Sequence, residues 1–489
     1  LLTRLFQVAV GCGLLGLVVF MSFGAYLAET SPALALKLDP HHPVALRRLA
    51  EQILADLQSA EEPKDGPSRG TDATPQRIRF AAPTALLPKA EESPQPNPSG
   101  QVAGTTSDVR EASLNRARQL VEAAIKSDPL DYRALTLLGM IAQMQAPPGQ
   151  GTDAARPYFE MAARLSPRAS EAIYWLLQRN VEARNYAAAI TQADTLLRTV
   201  SRAGPAVIPI LARLAEEPEA TEQVTALLRG NPPWRGQFFA GATNHITDAR
   251  TPLTMLLALR DAAHPPSDAE VRGYLNFLVA RHFYDLAYYT WLQFLPPDRL
   301  ASTGLLFNGS FETKPSGFPF DWTVTAGAGA TVEFPPLPDE PSGRGLRVDF
   351  SQGRIQFGGV AQAVLLPEGR YVLHGRFRGE LEGRRGLRWR VVCLDRTARR
   401  MIAETPMHLG PISGWQEFEL DFAVPATACA MQQVRLDFDA RSSSEQLVRG
   451  TLWYSNMTIR RQEAAATAGP QDAARSPTVV LPARQARPP

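Results

Sequence analysis

The sequence predicts a multidomain chain, α-helical first and β-sandwich last, behind an apolar N-terminal segment. Three observations predict it. An apolar run extends from Leu5 to Ala28, broken only by Gln7. Apolar residues then recur at helical spacing, with Asp-Pro or Ser-Pro at unit boundaries: Asp39-Pro40, Asp128-Pro129 and Ser166-Pro167. After Leu305 the period changes to two, in LRVDF, GRYVLHGRFRG, LRWRVVCLD, WQEFELDFAV, QQVRLDFDA and GTLWYSNMTIRR. That alternation, interrupted by Gly, Pro and Ser turns, is the mark of half-buried strands.

The chain has 489 residues, and at roughly 100–200 residues per domain it divides into several units. A formal net charge of +2 makes no case for nucleic acid as a partner. The seven histidines are scattered and the three cysteines are too far apart for a zinc ribbon. No H-E-x-x-H, G-x-S-x-G or P-loop pattern occurs. Asp437 and Asp439 share a strand face, which strand alternation makes common, so the expectation is a protein that is not an enzyme.

The first element, residues 1–30, is expected to be a transmembrane anchor, since about 20 apolar residues span a bilayer as a helix. A cleaved signal peptide is the other reading, but the Ala33-Leu34-Ala35 site lies well past the apolar run. Cys12 in AVGC loosely matches a lipoprotein site with too few residues before it. Arg4 precedes the span while Lys37, Arg47 and Arg48 follow it, a charge balance that does not favour export. Export is still expected from the single N-terminal anchor and the two later cysteines. The expected location is the inner membrane, single-pass, with the bulk of the chain in the periplasm.

Residues 31–60 read as a first repeat helix region, and residues 61–107 as a disordered Pro-rich linker splitting that repeat between its two helices. The linker has few aromatics and many Pro, Ser, Gly and charged residues, so it buries too little apolar area to offset the entropy of ordering. The tail, residues 463–489, is expected to be disordered for the same reason. Residues 108–300 are helical. Ala117, Leu120, Ala124 and Ile125 share one face, and Pro129, Pro167 and Pro205 recur at even spacing. With small residues at Ala123, Ala124, Ala162, Ala163 and Gly139, this region resembles tetratricopeptide (TPR) repeats, whose period is roughly 34 residues. The resemblance implies an α-solenoid that docks a protein partner. Ser267 and Glu270 have capping-box spacing. Phe283, Tyr284, Tyr288, Tyr289, Trp291 and Phe294 are expected to seal the end of the solenoid.

The segments NGSFE, GFPFDW, SGWQEFELDFAVP and GTLWYSNMTI resemble the jelly roll of carbohydrate-binding modules and galactose-binding-like domains, over residues 304–462. The resemblance implies a structural calcium on oxygen ligands, with Asn308 and Glu312 as candidates, although Ser455-Asn456 stands where two carboxylates would be expected. No other cofactor is expected. Sugar recognition needs aromatic platforms, for which Trp322, Trp389, Trp415 and Trp453 are candidates. Trp415 and Trp453 are expected in the core; Trp389, between Arg388 and Arg390, is open to either role. Arg376, Arg378, Arg388 and Arg390 would suit an anionic polysaccharide, or form a solvated basic face that discourages edge pairing. Cys393 and Cys429 are expected to form a disulfide in an oxidising compartment and to be buried thiols in the cytoplasm. The whole arrangement resembles bacterial envelope proteins found with polysaccharide production and export. That implies a non-catalytic scaffold whose jelly roll binds glycan; the alternatives are a pure assembly scaffold of a secretion complex, or a polysaccharide-processing enzyme.

Overall fold

The computed structural model describes residues 22–61, 103–147, 150–301, 303–351, 353–394 and 399–462. The expected anchor up to residue 21, the expected linker from residue 62 to 102 and the expected tail lie outside the described residues. Among the described residues no helix is long and apolar enough to cross a membrane. The chain divides into two compact units between Tyr274 and Leu275.

The first unit is helical: α1 (22–30), α2 (Pro32–Leu38), α3 (Pro43–Glu61), α4 (Ala103–Ser127), α5 (Tyr132–Gln145), α6 (Gly151–Leu165), α7 (Ser170–Glu182), α8 (Tyr186–Thr199), α9 (Gly204–Leu214), α10 (Pro218–Arg229), α11 (Arg235–Ala242) and α12 (Thr251–Leu259). From α3 to α9 each helix packs on the next. Asp39-Pro40, Asp128-Pro129 and Ser166-Pro167 each follow the last residue of a helix, α2, α4 and α6, because a proline within the next turn would lack the amide that the helix needs. Pro205 breaks the pattern: it lies in the first turn of α9, where a missing N–H costs nothing. The even proline spacing therefore does not mark a third equivalent boundary.

Helices α3 and α4, which flank the expected linker, do pack together. Ala50 and Leu54 share a buried cluster with Leu114, Ala117, Val121 and, from α5, Leu137 and Ile141. α4 starts at Ala103, inside the expected linker. Buried Arg47 ties α3 to α5 through Asp131, at 2.9 Å, while Asp131 also caps α5 by accepting from the amides of Arg133 and Ala134. Gly139 marks the α5–α6 crossing: a Cβ there would stand 2.8 Å from the Phe159 ring. The capping box forms, Glu270 accepting from the Ser267 amide at 2.8 Å and Ser267 Oγ accepting from the Glu270 amide at 3.3 Å. It opens α13 (Asp268–Ala280), and Glu270 additionally holds buried Arg235 at 2.9 Å.

The second unit contains α14 (Tyr284–Gln293), α15 (Pro297–Ala301) and ten strands: β1 (Thr323–Val324), β2 (Ala330–Glu333), β3 (Leu346–Phe350), β4 (Val360–Val364), β5 (Gly369–Gly383), β6 (Leu387–Leu394), β7 (Arg399–Glu404), β8 (Gly410–Val424), β9 (Gln432–Phe438) and β10 (Val448–Arg461). They form two five-stranded antiparallel sheets, ordered β1-β4-β9-β6-β7 and β2-β3-β10-β5-β8. Trp322, Trp389 and Tyr454 fill the space between the sheets. Cys393 and Cys429 are bridged, Sγ–Sγ 1.96 Å, which joins the end of β6 to the loop before β9.

The aromatic helix corrects the sequence reading. Trp291 packs on Phe307 and Phe320, with ring centroids 5.0 and 5.6 Å away, and Tyr288 packs on Phe320. Tyr284 Oη donates to the Leu394 carbonyl at 3.0 Å. α14 thus covers an end of the sandwich and belongs to the second unit, which begins well before residue 304. Its aromatics found the apolar partners available there, on the β-domain side.

Candidate functional site

The inner face of β5 carries Tyr371, Leu373, Gly375 and Phe377, which leaves His374, Arg376 and Arg378 on the outer face. Cross-strand pairing sets their neighbours: Trp453 of β10 lies opposite Arg378 and also opposite Arg347 of β3, and Glu417 of β8 lies opposite Arg376. Between Phe377 and Gly379 the β5–β8 register slips. There the β8 segment Ser413-Gly414-Trp415 faces the single residue Arg378, a bulge that re-aims its side chains.

Trp415 and Trp453 are both half-buried on this outer face. Two guanidiniums lie over Trp415, Arg376 at 4.5 Å and Arg378 at 4.9 Å from the ring centroid. Trp453 lies between Arg378 at 6.0 Å and Arg347 at 5.7 Å. The row Trp415, Arg376/Arg378, Trp453, Arg347 crosses four strands as alternating rings and cations, each contact within the range of cation–π attraction. The placement of Trp415 and Trp453 corrects the expectation that they are core. Trp415 has the parity of Glu417, Glu419 and Asp421, and Trp453 that of Thr451, all outward; Phe418, Leu420, Leu452 and Tyr454 point in. Counting parity from those outward polar neighbours would have found both.

The turn between β2 and β3 folds over this row. Gly345 N donates to the Pro335 carbonyl at 3.1 Å and Leu337 N to the Gly343 carbonyl at 2.9 Å, closing the loop, while Leu337 is buried. At its tip, Glu340 receives two hydrogen bonds from Arg376, at 3.0 and 2.9 Å, and Asp339 pairs with Arg378. The hydrogen bond from Arg376, aided by the charges of Arg376 and Arg378, holds the Glu340 carboxyl below the usual range. The carboxylates stay open to solvent, at 48% and 65% exposure, while the arginines beneath are 16% and 18% exposed. Asp339 and Glu340 had no signal in the sequence, because loop closure over a sheet face has no period.

The other predicted residues lie elsewhere. Arg388 and Arg390 are on β6, in the opposite sheet, so the four arginines split between two faces and do not form one site. There Arg390 bonds to Glu404 at 3.0 Å and Asp439 at 2.7 Å, and Arg388 reaches Asp439 at 3.2 Å. Burial would raise Asp439, but the Arg390 hydrogen bond with the Arg388, Arg390 and Arg441 charges holds it below the usual carboxylate range. Trp389 is fully buried, 5.7 Å from Trp322 and 5.5 Å from Tyr454 by ring centroids. Its parity is that of Leu387 and Val391, so it cannot be a platform.

Asn308 and Glu312 do not form an oxygen cage. The Asn308 side chain donates to the Thr313 carbonyl at 2.9 Å and accepts from the Thr313 amide at 3.3 Å, holding the loop. Glu312 is exposed. Asp321, the buried carboxylate nearby, accepts from Ser316 and from the Trp322 amide. Among the described residues no group of three or more His, Cys, Asp or Glu is arranged to hold a metal. A separate cavity of about 680 Å³ lies between α14 and the sandwich, lined by His282, Tyr284, Tyr288, Tyr289, Glu368 and Ala428 among others.

No protein-family model matches the chain, and no curated protein matches it. Among solved structures, the chain is similar to a CBM4 structure, at 13% identity and a TM-score of 0.25 over 32% of this chain and 99% of that one. It is similar to CBM22-1 and GH10 modules of the Clostridium thermocellum endo-1,4-beta-D-xylanase 10B with xylohexaose, at 15% identity and a TM-score of 0.24, covering 32% of this chain and 28% of that one. It is also similar to TmCBM61 in complex with beta-1,4-galactotriose, at 18% identity and a TM-score of 0.23 over 33% and 100%. At these scores the likeness assigns no ligand to this chain.

Proposed function

We propose that the β-sandwich is a non-catalytic binding module that holds a glycan chain along the outer face of the β2-β3-β10-β5-β8 sheet. The observation that carries this reading is the pair of half-exposed tryptophans, Trp415 on β8 and Trp453 on β10, on the two strands that flank β5, with arginines between and beside them. A flat ring covers the apolar face of a pyranose, and guanidinium groups supply hydrogen bonds to its oxygens. Asp437 and Asp439, the two carboxylates that share a strand face, both engage Arg390, which supports binding over acid–base chemistry.

The helical unit, in this proposal, is a TPR-like platform for a protein partner; the close α5–α6 crossing at Gly139 supports that reading. An N-terminal anchor, a periplasmic location and a link to polysaccharide production or export complete it. The Cys393–Cys429 bridge supports an oxidising compartment.

The test is affinity electrophoresis of the full chain in gels containing neutral and acidic polysaccharides, with Trp415→Ala and Trp453→Ala beside it. Retardation by at least one polysaccharide, lost in both variants while their melting curves stay unchanged, is the expected result. No retardation by any polysaccharide, in wild type and in Asp339→Asn/Glu340→Gln alike, or retardation that survives both tryptophan substitutions, removes the glycan reading and leaves the assembly scaffold.

A further inference from the structure

We propose that Asp339 and Glu340 are a built-in stand-in for the carboxylates of an acidic polysaccharide, and that a polyuronate binds by displacing them from Arg378 and Arg376. This rests on the glycan reading above and names the ligand class of the same face.

Two adjacent guanidiniums stack on one tryptophan, and each is claimed by one of two consecutive carboxylates. The Arg376–Glu340 contact is bidentate, the geometry in which a guanidinium recognises any planar carboxylate. A sugar carboxylate offers the same two oxygens. The internal carboxylates reach the arginines from outside the sheet, on a turn whose tip is exposed, so an external ligand approaches from the same side. The turn's hold on the fold is elsewhere, in buried Leu337 and the backbone bonds that close it. Its tip can therefore leave the arginines while its base stays in place. Once the tip moves, Trp415 and two unpaired cations form one surface suited to a charged pyranose. Neutral glycans lack the group that competes, so they gain nothing from the displacement. The turn is thus a specificity device, setting a threshold that only a carboxylate-bearing chain in sufficient density overcomes.

The experiment measures binding of full-length protein to polygalacturonate and to neutral hydroxyethyl cellulose, by affinity electrophoresis across a salt series. Variants are Asp339→Asn/Glu340→Gln, the single Glu340→Gln, Arg376→Gln/Arg378→Gln, and a control, Glu368→Gln/Glu419→Gln, which removes two charges from the sandwich without freeing either arginine. The expected result is roughly tenfold tighter binding of polygalacturonate by Asp339→Asn/Glu340→Gln, a smaller gain for Glu340→Gln, and little for the control, as suits release of charge-assisted hydrogen-bonding sites. The gain disappears when Arg376→Gln/Arg378→Gln is added, and hydroxyethyl cellulose binding is the same in wild type, the two acid variants and the control. No gain in the acid variants, or an equal gain in the control, overturns the stand-in role even where Trp415-dependent binding of a neutral glycan upholds the face itself. If wild type is silent and the acid variant binds polygalacturonate, the stand-in role is upheld. Silence of both toward polygalacturonate overturns it, and silence toward every polysaccharide removes the glycan reading too.

Discussion

Acidification from pH 7 to 5 should destabilise the sandwich through one histidine. His408 is buried, its ring stacked on Phe377 at 3.7 Å between centroids and its Nδ1 3.0 Å from Tyr454 Oη. Burial, with the Arg388 charge added, pulls its pKa from 6.5 down to about 4. The unfolded chain therefore binds a proton that the folded chain refuses between those two values, and stability falls as pH falls through that window. Above pH 6.5 both states are neutral and nothing is lost; below about 4 both are charged and the loss is complete. Linkage makes the loss from pH 7 to 5 about 2 kcal/mol, or roughly 4–8 °C in melting temperature for a unit of this size. The carboxylates held low by arginine, Glu340 and Asp439, contribute at lower pH, since stability from a depressed carboxylate is lost below its unfolded value near 4. The assay is thermal unfolding of the full chain with pulse-labelling hydrogen exchange at one fixed pH, reading peptides from β5 and β9. His408→Gln is less stable at pH 7 but loses much less on acidification, so the gap from wild type narrows by about 2 kcal/mol. Parallel losses in wild type and variant would refute the assignment to His408.

Three further outcomes follow from packing. Gly139→Ala puts a methyl 2.8 Å from the Phe159 ring and should cost about 1–3 kcal/mol, read as a lower helical melting transition that Phe159→Leu partly restores. Arg235→Ala leaves Glu270 buried without its cation, since both side chains are 6% exposed; a loss of about 3–5 kcal/mol is expected, only partly recovered in Arg235→Met/Glu270→Met, which also loses the Ser267 capping bond. Reducing Cys393–Cys429 opens a link across a sequence separation of 36, worth roughly 3–4 kcal/mol by loop entropy. Calorimetry with and without a phosphine reductant checks it, and the same shift should be absent in Cys393→Ala/Cys429→Ala.

The sequence by itself determined the class of each half, because class follows from local periodicity: helical spacing up to the change at Leu305, alternation after it. It determined the helix ends at Asp128-Pro129 and Ser166-Pro167, where proline chemistry is local, and the Ser267–Glu270 box, whose two partners are three residues apart. It also contained the sides of Trp415 and Trp453, in the parity of their polar neighbours. Only the tertiary structure decided the rest. Arg376 and Arg388 have similar local surroundings, yet they face opposite sides of the sandwich because strand order assigns β5 and β6 to different sheets. The α14 aromatics are apolar in either setting, and what they cover depends on Phe307 and Phe320 arriving from later in the chain. Asp339 and Glu340 meet Arg378 and Arg376 through loop closure between residues nearly forty positions apart, where no short-range rule reaches. Periodicity specifies which face a side chain takes; only the assembled sheets specify what it meets there.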